Sequence, residues 1–350
     1  MAARTRYLAG EDTWSPGPPD NRRALTADGR GALPTAPTYP DRVRLPDPAV
    51  PALGLADGVA AAADVLAGRR IAVLTGAGIS TDSGIPDYRG PDSPPRSPMT
   101  YQQFVGDPAY RRTYWARNHV GWRHVDRTHP NGGHRALARL ERRGLLTGVI
   151  TQNVDRLHHL AGSRRVIDLH GTYADVVCLE CHARVSRDAL AARLEALNPG
   201  FAERAAVADV EIAPDADAVI ASTEGFVVAD CARCGGLLKP DIVYFGENVP
   251  KDRVAAAYAL VDEADALLVA GSSLAVMSGL RFARYARRSG RPVVIVNRGR
   301  TRGDDLAAVR VEAGTSEVLA ALAEMLPDLP AAPPDPDARA ASEPVNRAGP

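Results

Sequence analysis

Lysine is nearly absent from this chain: Lys239 and Lys251 are the only two, so forty of the 42 basic residues are arginine. We read that imbalance as coding bias, since either cation serves on a solvated surface. There is no surplus of charge, with 42 acidic residues against 42 basic ones, which removes the long-range pull toward nucleic acid or an anionic membrane. No run approaches the roughly 18 uninterrupted apolar residues of a membrane span. The first residues also lack the short apolar core of a secretory signal. The expectation is a cytoplasmic protein with neither a nucleic-acid nor a membrane partner; its oligomeric state stays open. Cysteine is scarce, and four are too few for a disulfide scaffold, so their spacing is read for metal instead. What is plentiful is ordinary apolar content, 45% of 350 residues, enough for one large domain or two small ones.

Proline marks the ends. Nine of the 28 prolines fall in residues 1–54 and seven in 327–350, both poor in periodic apolar pattern, and both read as disordered arms. Arg4, Arg6, Arg22 and Arg23 would suit a mitochondrial transit peptide, but Glu11, Asp12 and Asp20 interrupt them and such peptides avoid acids.

The core, 55–326, alternates apolar runs with helical patterns. Ile71–Thr75, Gly148–Thr151, Ala266–Ala270 and Val293–Val296 have no polar alternation, which suits strands covered on both faces. Helices between such strands imply an α/β fold, a Rossmann-like, doubly wound parallel sheet built from about 55–89, 146–170 and 239–326. The runs end in Gly76-Ala-Gly78, Gln152-Asn-Val-Asp155, Gly271-Ser-Ser273 and Asn297-Arg-Gly299. Ligands bind at the carboxyl ends of parallel strands, so these segments are expected to share one crevice. Residues 90–145, rich in aromatics and arginine, and 171–238, which hold every cysteine, are read as insertions forming a smaller domain. No fixed-period repeat is present, which sets aside solenoids and propellers.

Cys178-Leu-Glu-Cys181 and Cys231-Ala-Arg-Cys234 form two C-x-x-C knuckles, the donor set of a closed structural zinc site. The 49 residues between the pairs exceed the about 15 to 20 of a compact ribbon, so a long excursion that includes the acidic stretch 209–217 must leave and return. A redox pair and four unrelated thiols are the competing readings. After the first strand, Gly76 and Gly78 allow backbone amides to approach a diphosphate. The dehydrogenase fingerprint is not met, because Thr81 stands where its third glycine belongs and the second strand ends in Gln152-Asn153 rather than an acid. His170 follows the apolar run Val166–Leu169, at a strand end, where a near-neutral pKa suits general base work. As a lone histidine it could equally be an ordinary surface or core residue. Lys239–Glu247 alternates apolar residues and fits either an edge that pairs with an extended peptide or an internal sheet edge.

Taken together, Gly76–Arg89, Thr151–Asp155, His170-Gly171, the paired C-x-x-C, Lys239–Glu247, Gly271–Ser273 and Asn297 resemble the sirtuins, NAD-dependent protein deacylases. The resemblance covers nearly all of 55–326 in the same order. Tyr114–Asn118, Val120-Gly-Trp122, the long gap between cysteine pairs and Ser278-Gly279 look most like class II. The resemblance implies that Gly76, Ala77, Gly78, Ile79, Ser80, Thr81, Asp87, Tyr88 and Arg89 hold the NAD diphosphate and cover the nicotinamide ribose. It assigns Gln152, Asn153, Val154 and Asp155 to that ribose and the nicotinamide pocket, with Asn153 beside the chemistry. Gly271, Ser272, Ser273, Asn297, Arg298, Gly299 and the backbone near Thr315 would take the adenosine side. His170 would be the general base, and Cys178, Cys181, Cys231 and Cys234 would hold one structural zinc. Val243, Tyr244 and Phe245 would clasp an acyl-lysine peptide as an added strand.

The implied reaction moves the acyl group from lysine to ADP-ribose with loss of nicotinamide, His170 accepting a ribose hydroxyl proton. Tyr114 and Arg117, spaced i and i+3 on a helix, are expected to meet the acyl group, and an arginine there would favour a carboxylate or a chain longer than acetyl. A structural salt bridge or a solvent-facing position is the competing role for Arg117. Protein mono-ADP-ribosyl transfer at the same NAD site, and a non-catalytic NAD-binding module, are the alternative functions.

Overall fold

Apolar runs without a polar position must be covered on both faces, and that requirement sets the centre of this fold. The computed structural model describes residues 45–89, 98–205, 218, 220 and 222–329, with side chains 124 and 125 left out. In chain order its first half comprises β1 (Ala52–Leu53), α1 (Leu55–Leu66), β2 (Ile71–Thr75), α2 (Tyr101–Gly106), α3 (Pro108–Asp126), α4 (Gly132–Arg142), β3 (Leu146–Thr151), α5 (Leu157–Leu160) and β4 (Val166–Asp168). There follow β5 (Gly171–Cys178), β6 (Arg184–Ser186), α6 (Arg187–Leu197), α7 (Phe201–Ala205), β7 (Leu238–Ile242), α8 (Lys251–Asp262), β8 (Ala266–Ala270), α9 (Met277–Arg288), β9 (Val293–Val296), β10 (Val309–Val311) and α10 (Thr315–Met325).

Seven strands make one parallel sheet in the order β1-β10-β9-β8-β2-β3-β4. From β2 the chain steps outward through β3 and β4, and from β8 it steps the other way through β9 and β10. The order therefore reverses between β2 and β8, the point at which an open sheet leaves a ligand crevice. Residues of β2 alternate between two cores, as a period of two requires. Val73 faces α1, α4 and α10 among Leu66, Leu137, Leu140 and Leu322. Leu74 faces α8 and α9 among Leu260, Leu280 and Phe282.

A second sheet, β6-β5-β7, is antiparallel and packs with α2, α3 and α6 around Phe104, Tyr114, Trp115, Trp122, Tyr173 and Leu194. Buried Arg187 lies in this core, its guanidinium on Asn118 Oδ1 and over the Trp115 and Trp122 rings.

Three sequence expectations need correction. The first arm does not run to 54: β1 pairs with β10, and Ala49 donates to the Asp304 carbonyl, because its apolar residues complete the sheet edge. The tail's start at 327 is also too early, since Asp328 pairs with Arg143 and Leu329 packs on the first core. The remainder of both arms and the acidic stretch 209–217 lie outside the described residues. Finally, α4 does not join the helical insertion. Ala136, Leu137 and Leu140 sit on one face and bury against α10 and the large sheet, so the excursion ends with α3.

Helix α4 is capped by Asn131, whose Oδ1 accepts from the Gly133 and His134 amides. His134 stands 4.8 Å, ring to ring, from His158, which bonds Thr75 Oγ1 at 2.9 Å. Burial, followed by the Arg135 charge, lowers the His134 pKa to about 4. Burial, followed by the charge of His134, pulls His158 well down too. Between the unfolded value near 6.5 and about 4 the unfolded chain binds more protons than the folded one, so stability rises with pH across that window. We predict a lower melting temperature at pH 5 than at pH 7.5. His134→Gln, which retains a capping side chain at the third helical position, should flatten the dependence; a melting temperature that is level in wild type would contradict the neutral pair.

Candidate active site

The site begins with two backbones in contact. Gly78 donates to the Gly271 carbonyl at 2.9 Å, joining the loop after β2 to the loop after β8. Gly271 has φ +65, and a Cβ on it would stand 2.3 Å from the Ile79 nitrogen. A Cβ on Gly76 or Gly78 would approach the Gly271 carbonyl oxygen to 2.9 Å. No side chain fits at any of the three, which keeps the loops close and their backbone exposed to the space above. That space is a cavity of about 610 Å³, within the range of small-molecule sites.

The cavity brings together most of the residues read from sequence. Gly76, Ala77, Gly78, Ser80, Asp87, Tyr88 and Arg89 line it from the first loop, and Gln152, Asn153, Val154 and Asp155 from the end of β3. Gly271, Ser272, Ser273, Asn297, Arg298 and Gly299 line the other half. Ile79, Thr81 and Thr315 are not among its lining. Ile79 is buried in the first core, and the Thr81 and Thr315 hydroxyls both donate to the Gly78 carbonyl, at 3.1 and 3.3 Å. They shape the loop from behind.

The end of β3 is a polar network. Ser80 Oγ donates to Asp155 Oδ2 at 2.6 Å, and the Leu157 amide donates to Oδ1 at 2.9 Å. Asn153 Nδ2 reaches the Gly76 carbonyl and Ser80 Oγ at 3.2 and 3.1 Å. Burial raises the Asp155 pKa, with the bonds from Ser80 and Leu157 opposing it. Gln152 Nε2 donates to Ser272 Oγ at 2.8 Å, tying the two halves of the crevice together.

His170 lies where β4 gives way to β5. Its Nδ1 is 2.9 Å from the Gln152 carbonyl oxygen, and its Nε2 is 2.8 Å from Ser278 Oγ. A carbonyl only accepts, so Nδ1 carries the hydrogen and Nε2 is left as the base. Burial lowers its pKa to about 4, against the bond to Gln152, and the Arg253 and Arg281 charges lower it further.

Val243, Tyr244 and Phe245 line the opposite wall, and the Val243 amide donates to the His170 carbonyl at 2.8 Å. The internal-edge reading of Lys239–Glu247 describes its first half: β7 pairs with β5. Phe245 forms a parallel bridge with Thr100 and meets the Tyr88 ring edge-on at 6.1 Å. Lys239 is buried beneath, paired with Glu247 at 3.2 Å.

Tyr114 and Arg117 are the site expectations the structure moves elsewhere. Neither is among the residues lining the cavity. Tyr114 is buried between the rings of Phe104, Trp115 and Tyr244, and Arg117 Nε donates to the Ala218 carbonyl at 2.8 Å. The aromatics of the core under the β6-β5-β7 sheet claimed that helix face, and the guanidinium pins the excursion between the cysteine pairs.

The cysteines converge. All four Sγ atoms lie within 4.8 Å of one another, with Cys178 and Cys234 at 3.5 Å and Cys181 and Cys231 at 3.7 Å. Four thiolates about 2.3 Å from a tetrahedral zinc sit about 3.8 Å apart, so the donor set fits zinc. Both knuckles are built alike: the Cys178 carbonyl accepts from the His182 amide and the Cys231 carbonyl from the Gly235 amide, with His182 and Gly235 both at positive φ. We predict that the purified chain carries one zinc and that Cys181→Ser loses it, together with the cooperative unfolding of the small module. Elemental analysis and a thermal melt check this; zinc retained at full stoichiometry by the variant would contradict it.

Sequence reasoning did not assign a site role to Ser278, Arg281, Ile85 or Met99, all of which line the cavity. Ser278 stands seven residues beyond Gly271 at the start of α9, and that placement was the available signal. No helix among the described residues is long and apolar enough to cross a membrane.

Comparison with known proteins agrees with this geometry. The Sir2 family profile matches residues 76–278. NAD-dependent protein deacetylase 1 of Mycobacterium avium (strain 104) is 70% identical over 267 residues, covering 76% of this chain and 95% of its own. The protein of that name from Streptomyces coelicolor is 53% identical over 272 residues, covering 77% and 90%. A solved structure described as "Sir2-p53 peptide-NAD+" superposes with a TM-score of 0.59 at 34% identity, covering 75% of this chain and 95% of that one. The chain belongs to the Sir2 family.

Proposed function

We propose that this protein is an NAD-dependent protein lysine deacylase, with an acyl-lysine peptide as substrate, NAD as co-substrate and one structural zinc. The observation that carries the proposal is His170 Nε2 directed into the cavity shared by Gly76–Arg89, Gln152–Asp155 and Gly271–Ser273. The names of the bacterial relatives and the peptide and NAD in the Sir2 structure support the same reading.

In this reading the glycine loops hold the diphosphate through backbone amides, which Cβ atoms at 76, 78 and 271 would block. Asn297, Arg298 and Gly299 take the adenosine side. NAD, when bound, supplies a ribose carbon that loses nicotinamide and accepts the amide oxygen of the acyl-lysine. That oxygen is a weak nucleophile, so the protein's task is to hold it in line, an effect worth about 7 to 11 kcal/mol in well-oriented reactions. Asn153 and Asp155 orient the sugar, and His170 Nε2 accepts the proton of a ribose hydroxyl so that the acyl group passes to it. The peptide lies as an added strand along Val243–Phe245.

Ile85, Met99, Val154, Val243 and Phe245 make the acyl wall apolar, which favours hydrocarbon acyl groups, chains longer than acetyl included. The carboxylate preference is dropped, because Arg117 serves Ala218 instead. We place the chain in class II on Tyr114–Asn118, Val120–Trp122 and Ser278-Gly279.

The test is mass spectrometry of the full chain with NAD and lysine peptides carrying acetyl, longer hydrocarbon, succinyl and lipoyl groups. Acyl loss should require NAD and yield equimolar O-acyl-ADP-ribose, and His170→Ala should cut turnover by about 100-fold or more. NAD cleaved with label transferred to protein would favour ADP-ribosyl transfer, and NAD left intact would favour a binding module. Gly271→Ala should weaken NAD binding by at least about tenfold in calorimetry, since positive φ and lack of space both oppose it.

A further inference from the structure

The Ser278-Gly279 pair that opens α9 has no task in the reaction as proposed, yet both residues meet the catalytic corner. Gly279 lies against Gln152, where a Cβ would stand 2.5 Å from Oε1. The glycine thus lets α9 approach the residue whose carbonyl holds His170 Nδ1. That approach delivers the Ser278 hydroxyl to His170 Nε2 at 2.8 Å. The serine is not spent on its own helix, whose start at Val276 takes no side-chain cap.

We infer that Ser278 is a positioning residue for His170, holding Nε2 ready in the empty site and accepting its proton after acyl transfer; this rests on the deacylase reading. The argument follows from what each group can donate. The neutral ring has its hydrogen on Nδ1, so Ser278 donates to the bare Nε2 and fixes both tautomer and ring plane. A bound ribose hydroxyl then takes the serine's place, its proton passing to Nε2 as its oxygen bonds to the acyl carbon. The resulting N–H needs an acceptor. Among the described residues no carboxylate bonds either ring nitrogen, and the charges acting on the ring, Arg253 of α8 and Arg281 of α9, are both cations. A serine hydroxyl accepts as well as donates. Ser278 Oγ takes the Nε2 proton and releases its own to water in the cavity that it lines.

The experiment separates the two halves of the reaction in the full chain with NAD and an acetyl-lysine peptide. Exchange of labelled nicotinamide into NAD moves no hydroxyl proton, whereas formation of O-acetyl-ADP-ribose requires His170. Ser278→Ala should lower kcat for acyl transfer by about tenfold, with peptide KM within about twofold and nicotinamide exchange reduced less than about threefold. Ser278→Thr, which keeps the hydroxyl, should recover most of the loss. Long-range proton–nitrogen spectra should show His170 as the Nδ1–H tautomer, with the Nε2 resonance displaced in Ser278→Ala. Turnover retained within about twofold, a parallel fall of both halves, or an unmoved Nε2 resonance would overturn the inference. A wild-type chain that exchanges no nicotinamide would overturn the deacylase reading and this inference with it.

Discussion

The Gly78–Gly271 backbone contact is the constraint on which the rest of this site depends. It joins the two halves of the sheet where their order reverses, and because it is backbone against backbone, no change of rotamer elsewhere can restore it. Helices on the far side of the sheet act on the same loop. Asn131, the cap of α4, donates to the Ile79 carbonyl at 2.7 Å, and Thr315 at the start of α10 donates to the Gly78 carbonyl. The core under α4 and α10 and the shape of the loop are thus parts of one structure.

A second junction sets the reaction centre. Gly171, at φ +78, turns the chain from the parallel sheet into β5, and a Cβ there would strike the Asp241 carbonyl oxygen at 1.8 Å. Asp241 is held in turn by Arg253 and Arg184. The base at 170 and the wall at 243 are consequently one hydrogen bond apart, through the Val243 amide. The cysteine cluster begins at the far end of β5, so a zinc there would stiffen the strand that leads from His170 without touching the chemistry.

Much of this was legible in the residues, for identifiable reasons. Three central strands were read to the residue, since unbroken apolar runs must be buried, and the glycine and Gln152–Asp155 segments follow because strand ends converge. The paired knuckles point to a four-thiol site by their spacing, against a redox pair or unrelated thiols, and the structure brings the four Sγ atoms together. What misled was periodicity without knowledge of the partner: Tyr114 and Arg117 do share a helical spacing, but the aromatic core and Ala218 took up that face. Helix α4 shares arginines with its neighbour α3 but has none of α3's Tyr or Trp rings; its Ala136, Leu137 and Leu140 stripe packs on α10 and the large sheet. The short edge strand β1, two residues long, gives no periodic signal at all.

The distribution of charge completes the argument. Burial moves Asp155 up and His170 down, each toward its uncharged form, because desolvation opposes charge on either group. Arg89, Arg281, Arg298 and Arg300 line the same cavity without a lysine among them. Planar arginines suit a diphosphate, which they can hold in two-point contact. In the proposed reaction the loop amides would hold the diphosphate, with the arginines of the cavity adding positive potential, while the carbon that turns cationic as nicotinamide leaves would lie beside Asn153 and Asp155. A permanent cation beside that carbon would oppose the leaving step. A histidine held neutral, with its proton on the side of a carbonyl and its free nitrogen toward a serine, supplies a base without adding that charge.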